Sequence, residues 1–311
     1  MKLSLSSSSL NPHMQAGVSL EEALKAFKAG GFSLIDYEIR AWELDQTENN
    51  AERLKNAMDA CGLSPSIAHA PMPNHLEANG VDCVDLFTRS LKYCKIAGIE
   101  YAVIHPGALP GNTREAFFDL NAQFYRSLIP AAEDTGVGVL IENIGNYDSP
   151  YFLKNGSDLR ELIDRVDHPL FTACFDTGHA NLYWPEDGNM YDSVTALKGK
   201  LTALHVNDNC GYFSEPRLHG RIDFHAMPYF SLYSSVNYDA LLQGLIDIGY
   251  TGAFNFEALG GYSQVLRTPF IRNGKEEARL KMPPLSIWTK ISETVYEIGK
   301  YMLSEYGLFE E

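Results

Sequence analysis

Val139-Leu140-Ile141-Glu142, Phe171-Thr172-Ala173-Cys174-Phe175-Asp176 and Leu201-Thr202-Ala203-Leu204-His205 are short apolar runs, and each stops at a side chain able to titrate or to hold a metal. Apolar runs this short and without alternation suit strands covered on both faces, as in a parallel sheet clothed by helices. The same shape recurs outward in both directions: Leu34-Ile35 before Glu38, Ile67-Ala68 before His69, Tyr101 to Ile104 before His105, and Ala253 to Phe256 before Glu257. Lys2 to Leu5 supplies an eighth strand.

Amphipathic stretches lie between these runs. Leu20, Ala23, Leu24 and Phe27 share one helical face behind the capping-box pattern Ser19-Leu20-Glu21-Glu22. Phe117, Leu120, Phe124, Leu128 and Ala131 form a second stripe that reads as one helix, and Leu285, Trp288, Ile291, Val295, Ile298 and Met302 a third. Five amphipathic runs end at glycine just before a β-rich run, at Gly30-Gly31, Gly62, Gly98, Gly136 and Gly249. A glycine just past a helix end turns left-handed without a Cβ clash, so each reads as helix, cap, strand.

Eight such units in 311 residues predict an α/β fold, a single (β/α)8 TIM barrel over residues 1–311. An extended loop over about 207–236 follows the seventh strand, and a C-terminal helix covers about 285–305. A doubly wound open sheet is the runner-up, but the first strand is not followed by the glycine-rich phosphate fingerprint such a sheet would usually bring.

Composition agrees with a globular chain: 45% hydrophobic and 21% charged residues. No stretch approaches the ~18 unbroken apolar residues of a membrane span. The formal charge of −15 repels polyanions, so nucleic acid is not expected as a partner. Cys61, Cys83, Cys94, Cys174 and Cys210 are odd in number and never form C-x-x-C, which points to a reducing compartment. With no secretory apolar segment at the amino terminus, a cytoplasmic protein is expected.

The carboxyl ends of barrel strands converge on one face, so Glu38, His69, His105, Glu142, Asp176, His205 and Glu257 should meet there. A lone carboxylate at a strand end is often the N-cap of the next helix, an alternative that applies to Asp176 before Thr177-Gly178-His179. Several carboxylates at one rim must be protonated, paired or neutralised by a cation. Glu142, Asp176, His205 and Glu257, from four consecutive strand ends, offer three oxygens and one nitrogen to one divalent ion. That donor set favours Mn²⁺ or Mg²⁺ and tolerates Co²⁺ or Zn²⁺.

At these residues the sequence resembles the xylose-isomerase-like barrel superfamily of sugar phosphate isomerases and epimerases, which also contains metal-dependent apurinic-site endonucleases. The marks are Ile67-Ala68-His69-Ala70-Pro71, Val103-Ile104-His105-Pro106-Gly107, Ile141-Glu142-Asn143, Phe175-Asp176-Thr177-Gly178-His179, Leu204-His205-Val206-Asn207-Asp208-Asn209, Gly220-Arg221-Ile222-Asp223-Phe224 and Phe254-Asn255-Phe256-Glu257. The resemblance to the ketose 3-epimerase branch implies that Glu142, Asp176, His205 and Glu257 bind the metal. Glu142 and Glu257 would also be catalytic, moving a proton next to a sugar carbonyl through an enediolate. His179 and Arg217 match positions that hold substrate oxygens, and His69, His105 and Glu38 line the pocket. A small sugar or sugar phosphate would be the partner, with a homo-oligomer open. Gly260-Gly261, Arg267 and Arg272 offer a weak phosphate site.

Two other readings stay open. The nuclease branch uses nine ligands around three zinc ions. Seven match His69, His105, Glu142, Asp176, His179, His205 and Glu257, while the remaining Asp-x-His aligns with Glu215-Pro216-Arg217, whose guanidinium cannot ligate. Asp223-Phe224-His225 is itself an Asp-x-His, but Gly220 to Phe224 better matches the segment after the ligand pair. The third reading is a barrel that binds metal and sugar without turnover. The long loop after the seventh strand, with Tyr212, Phe213, Phe224, Met227, Tyr229, Phe230 and Tyr233, reads equally as a lid or a dimer contact.

Overall fold

The computed structural model describes residues 1–77, 80–144, 151–183, 189–211, 223–231, 234–258, 271–277 and 283–311. The eight apolar runs form parallel strands β1 (Leu3–Ser6), β2 (Leu34–Glu38), β3 (Ser64–His69), β4 (Tyr101–Val103), β5 (Gly138–Glu142), β6 (Phe171–Asp176), β7 (Leu201–His205) and β8 (Phe254–Phe256). Each strand pairs with its sequence neighbour from β1 to β7, and β1 also pairs with β8. The ring closes between β7 and β8 through the bridge Val206–Phe256, where Val206 N donates to Asn255 O and Glu257 N to Val206 O. The result is a TIM barrel.

Period-2 alternation sorts each strand into two faces. Outward side chains such as Leu5, Ile35, Val139 and Phe256 pack on the surrounding helices in the main core. Inward side chains Ile67, Val103, Leu140, Cys174 and Ala203 form a separate small cluster inside the ring. These five stand two residues before His69, His105, Glu142, Asp176 and His205, so the interior changes from apolar to titratable within one pleat of the rim.

The helices follow their sequence signals. The Ser19 capping box starts α2 (Leu20–Ala29), after the short α1 (Asn11–Gln15). Gly62 ends α3 (Thr47–Cys61) and Gly98 ends α4 (Cys83–Ala97), both in the left-handed region. At the first of the five glycine sites the positive φ falls one residue later than the cap, on Gly31 at +96°. The stripe from Phe117 to Ala131 is two helices rather than one, α5 (Arg114–Ser127) and α6 (Ile129–Thr135). Pro130 is the reason: it has no N–H to donate and is tolerated only in the first turn of a helix.

Around the rest of the ring run α7 (Gly156–Val166), α8 (Thr177–Asn181), α9 (Met190–Ala196), α10 (Tyr238–Ile248) and the C-terminal α11 (Leu285–Glu305). Helix α11 lies on α2 and β1, with Trp288 Nε1 donating to Ser9 Oγ at 3.1 Å. No helix among the described residues is long and apolar enough to cross a membrane.

Candidate metal centre

Glu142, Asp176, His205 and Glu257 come together at the carboxyl rim, with one ligand atom from each within 4.8 Å of all the others. His205 Nδ1 faces Glu142 Oε1 at 2.8 Å and Glu257 Oε2 at 3.1 Å. Glu142, Asp176 and His205 are at most 1% exposed, whereas the Glu257 side chain keeps 15% of its surface open. Three carboxylates and an imidazole nitrogen gathered within 4.8 Å in a largely buried site are the donor set and crowding that a divalent cation relieves.

Asp176 is held on both oxygens. Oδ1 accepts from His179 N at 2.6 Å, so Asp176 is the N-cap of α8, and Oδ2 accepts from Asn207 Nδ2 at 2.6 Å. Capping and ligation are therefore compatible, because each oxygen carries a second lone pair. Gly178 permits the approach: a Cβ there would stand 1.8 Å from Asn207 Oδ1. Asn143 fixes the strand end below, donating through Nδ2 to Asp176 O and accepting from Asp176 N.

The remaining predicted residues crowd the same carboxylates. Glu142 Oε2 faces His105 Nε2 at 2.8 Å and His69 Nε2 at 3.6 Å, so its two oxygens look toward different imidazoles. The His69 ring lies nearly parallel to His205, with centroids 5.6 Å apart. Glu38, paired in register with His69, is half-buried and accepts from Asn11 Nδ2 at 2.6 Å. Arg217, Tyr212, Phe213, Glu215, Pro216, Tyr233, Gly260, Gly261 and Arg267 lie outside the described residues. Arg272 is exposed and paired with Glu277 at 2.9 Å.

The Asp-x-His that alignment set aside belongs to the site. His179 Nε2 lies 3.1 Å and His225 Nε2 2.8 Å from Asp223 Oδ2, while His225 Nδ1 is 2.9 Å from Glu257 O. His179, Asp223 and His225 form a further group able to hold an ion, as do His69, Glu142 and His205. Asp223 Oδ1 is buried and has no hydrogen-bond partner among the described residues. The motif Asp223-Phe224-His225 was the signal, and the loop of uncertain alignment hid it.

Electrostatics follow from burial. Burial pushes the Asp176 carboxyl up to about 7 against the pull of His179, with Glu142 adding to the rise. Burial also opposes ionisation of Glu142 and Glu257. The imidazoles win at both: His205 and His105 hold Glu142 well below the usual range, and His205 and His225 bring Glu257 down to about 2. Conversely, burial disfavours a charged His69, yet its contacts with Glu142 raise it to about 9. His105 goes the other way, lowered because burial outweighs Glu142.

Known proteins resemble the chain in both sequence and fold. The pattern of the family described as xylose isomerase-like TIM barrel matches residues 22–277. A probable endonuclease 4 of Geobacter sulfurreducens is 31% identical over 193 residues, 58% of this chain and 63% of that protein. One of Sulfurihydrogenibium sp. is 22% identical over 228 residues, 67% of this chain and 80% of its own length. The chain spans 54% to 63% of the length of the first three curated relatives it matches. Among solved structures, a D-tagatose 3-epimerase-like protein superposes with a TM-score of 0.71 at 21% identity, covering 98% of both chains. The IolI protein with a bound zinc atom gives 0.71 at 16% identity over the whole of both chains. At these identities the superpositions speak for the fold.

Proposed function

We propose, since this chain belongs to the xylose isomerase-like TIM barrel family, that it is a divalent-metal-dependent sugar isomerase or epimerase acting on a small ketose, aldose or sugar phosphate. The observation that carries the reading is the convergence of Glu142 and Glu257 on one imidazole nitrogen, His205 Nδ1, at 2.8 and 3.1 Å. Two carboxylates beside one substrate position can act as a base and acid pair. Glu142, Asp176, His205 and Glu257 would hold the ion, with Mn²⁺ the first choice. When bound, it supplies Lewis-acid stabilisation of negative charge on a substrate oxygen.

The protein's own groups do the proton work. Glu257, the more open carboxylate and low enough to be ionised near neutral pH, is suited to take the proton from the carbon beside the carbonyl. Its C–H bond breaks with the electron pair left on the substrate, and a carboxylic acid on the other side returns a proton to carbon. Glu142 would be the partner for that step, taking up a proton before the return, with its Oε2 2.8 Å from His105 Nε2. Return to the opposite face of the same carbon gives epimerisation, and return to the neighbouring carbon gives aldose–ketose interconversion. His69 would hold a substrate oxygen, His179 would do so by exchanging its contact with Asp223 at 3.1 Å, and Glu38 stands on the wall beside His69.

A second reading rests on its own observation. Glu142 presents its two oxygens to separate imidazole groups, and His179, Asp223 and His225 complete a nine-residue donor set that suits several zinc ions and an apurinic-site endonuclease. Solvent-derived deuterium appearing on a ketose or aldose carbon, dependent on Mn²⁺, supports the isomerase. Three metals per chain with nicking of an abasic duplex, and no sugar exchange, would replace it with the nuclease. Metal and sugar binding without either reaction would leave a non-catalytic barrel.

A further inference from the structure

Asp36 is the anomaly of the barrel interior. It points inward from β2 two residues before Glu38, at the level where β3 to β7 carry Ile67, Val103, Leu140, Cys174 and Ala203, and it is fully buried. A carboxylate at that depth costs several kcal/mol unless partnered. Its partners among the described residues are few: Oδ2 accepts from Asn255 Nδ2 at 3.1 Å and faces His205 Nε2 at 3.3 Å, while Oδ1 has no hydrogen-bond partner there. Among the described residues, Asp36 is the carboxylate within ion-pair distance of His205 Nε2, and the contact is an ion-pair approach rather than a fully formed hydrogen bond.

We propose that Asp36 is a positioning residue for the metal centre: its carboxylate keeps the His205 proton on Nε2 and so turns the Nδ1 lone pair toward Glu142, Asp176 and Glu257. The two ring nitrogens are not equivalent, because the hydrogen bond at one decides which nitrogen is free to ligate. When His205 gives up one proton to a metal, nothing but Asp36 favours keeping the remaining one on Nε2, away from the carboxylates. Nδ1 lies 2.8 Å from Glu142, which would take that proton in a hydrogen bond and block the ligand position. Asn255, also inward-facing and buried two residues before Glu257, donates to the same Asp36 oxygen that faces His205 and so fixes it in place. The inference rests on the metal reading of the quartet.

The test uses the full chain, with Zn²⁺ as probe. Asp36→Asn is nearly isosteric and should fold as wild type does, while weakening Zn²⁺ about 10- to 100-fold in competition titrations, the range seen when such outer partners are removed. In ¹⁵N-histidine spectra of the zinc-loaded wild type, His205 should carry its proton on Nε2 and the metal on Nδ1, and the Nε2–H resonance should move in the variant. Unchanged affinity in Asp36→Asn overturns the proposal. So does weaker binding with an unmoved Nε2–H signal, which would make Asp36 a through-space charge, or an Nδ1–H tautomer in wild type, a result needing no variant. Failure of wild type to take up Zn²⁺ at the quartet is a different outcome and refutes the metal reading itself.

Discussion

Replacing Asp176 by Asn should make the metal-free protein more stable and the metal-loaded protein less so. Asp176 is fully buried, and its carboxyl is pushed from 3.8 up to about 7 by burial. Each tenfold change in proton affinity is worth about 1.4 kcal/mol, so holding this carboxylate ionised above pH 7 costs the folded state ~4 kcal/mol. The sign follows from proton binding. Between the unfolded and folded values the folded chain binds more protons, so the stability this group contributes is complete below pH 3.8 and is lost as pH rises through 7. A neutral amide in its place avoids that cost. The amide keeps one acceptor for His179 N, and its new donor can meet Asn207 Oδ1, which is buried without a partner, once the Asn207 amide turns over. Loss of two charge-assisted bonds takes back about 1 kcal/mol each. A net gain of ~2 kcal/mol remains, several degrees in Tm for a chain of this size.

The assay is thermal melting of wild type and Asp176→Asn in EDTA from pH 4.5 to 8.5, repeated with Mn²⁺. In EDTA the variant should melt higher at pH 8, the gap narrowing as pH falls below 7. With Mn²⁺ wild type should gain stability by mass action and the variant should gain little. A variant that melts lower than wild type in EDTA at pH 8, or a gap that does not change with pH, refutes the claim that an unneutralised buried carboxylate sits here.

Three further outcomes are expected. Glu257→Gln should keep the circular dichroism spectrum of wild type but abolish deuterium exchange into sugar; full exchange would remove Glu257 from the proton transfer. Gly178→Ala should weaken metal binding and cost about 1–3 kcal/mol, because its Cβ would stand 1.8 Å from Asn207 Oδ1 and displace the amide that clamps Asp176; wild-type affinity and melting would show that the clamp is dispensable. Metal uptake at pH 7 should release protons: burial disfavours a charged His205, but the ionised Glu142 and Glu257 beside it hold it above the ordinary value, so its proton must leave. Calorimetry in buffers of different ionisation heat measures that release, and an apparent affinity that falls with rising pH between 6 and 8 would contradict it.

The barrel was legible because each strand is a short apolar run closed by a polar residue, and the cap glycines punctuate the helices between. Where reading along the chain failed, a local feature overrode a longer pattern. Pro130 split a helical stripe that apolar spacing alone presents as continuous. The rim set emerged from counting strand ends, which needs no knowledge of loops. Asp223 and His225 escaped because they stand in the long loop after β7, where no periodicity fixes position, and only the contacts with His179 and Glu257 reveal their place. Asp36 had a visible signal: Ile35-Asp36-Tyr37-Glu38 puts a charge where the next five strands place an apolar residue or alanine. One carboxylate within a strand reads as noise until the register shows which imidazole it faces.

Asp176 shows why a structural reading and a functional one need not compete at a strand end. As an N-cap it accepts from His179 N, and that bond brings the start of α8, with the His179 ring, over the rim. His179 Nδ1 then approaches Glu142 and its Nε2 reaches Asp223, so the cap builds the second tier of the site. Asn207 secures the other oxygen from the strand end of β7, two residues after His205. Both oxygens of Asp176 accept from backbone or amide donors, and the His179 imidazole 3.6 Å from Oδ1 offsets only part of the cost of its burial. The carboxylate is held in place at a cost to the folded state, which a metal would offset and which Asn at this position would remove.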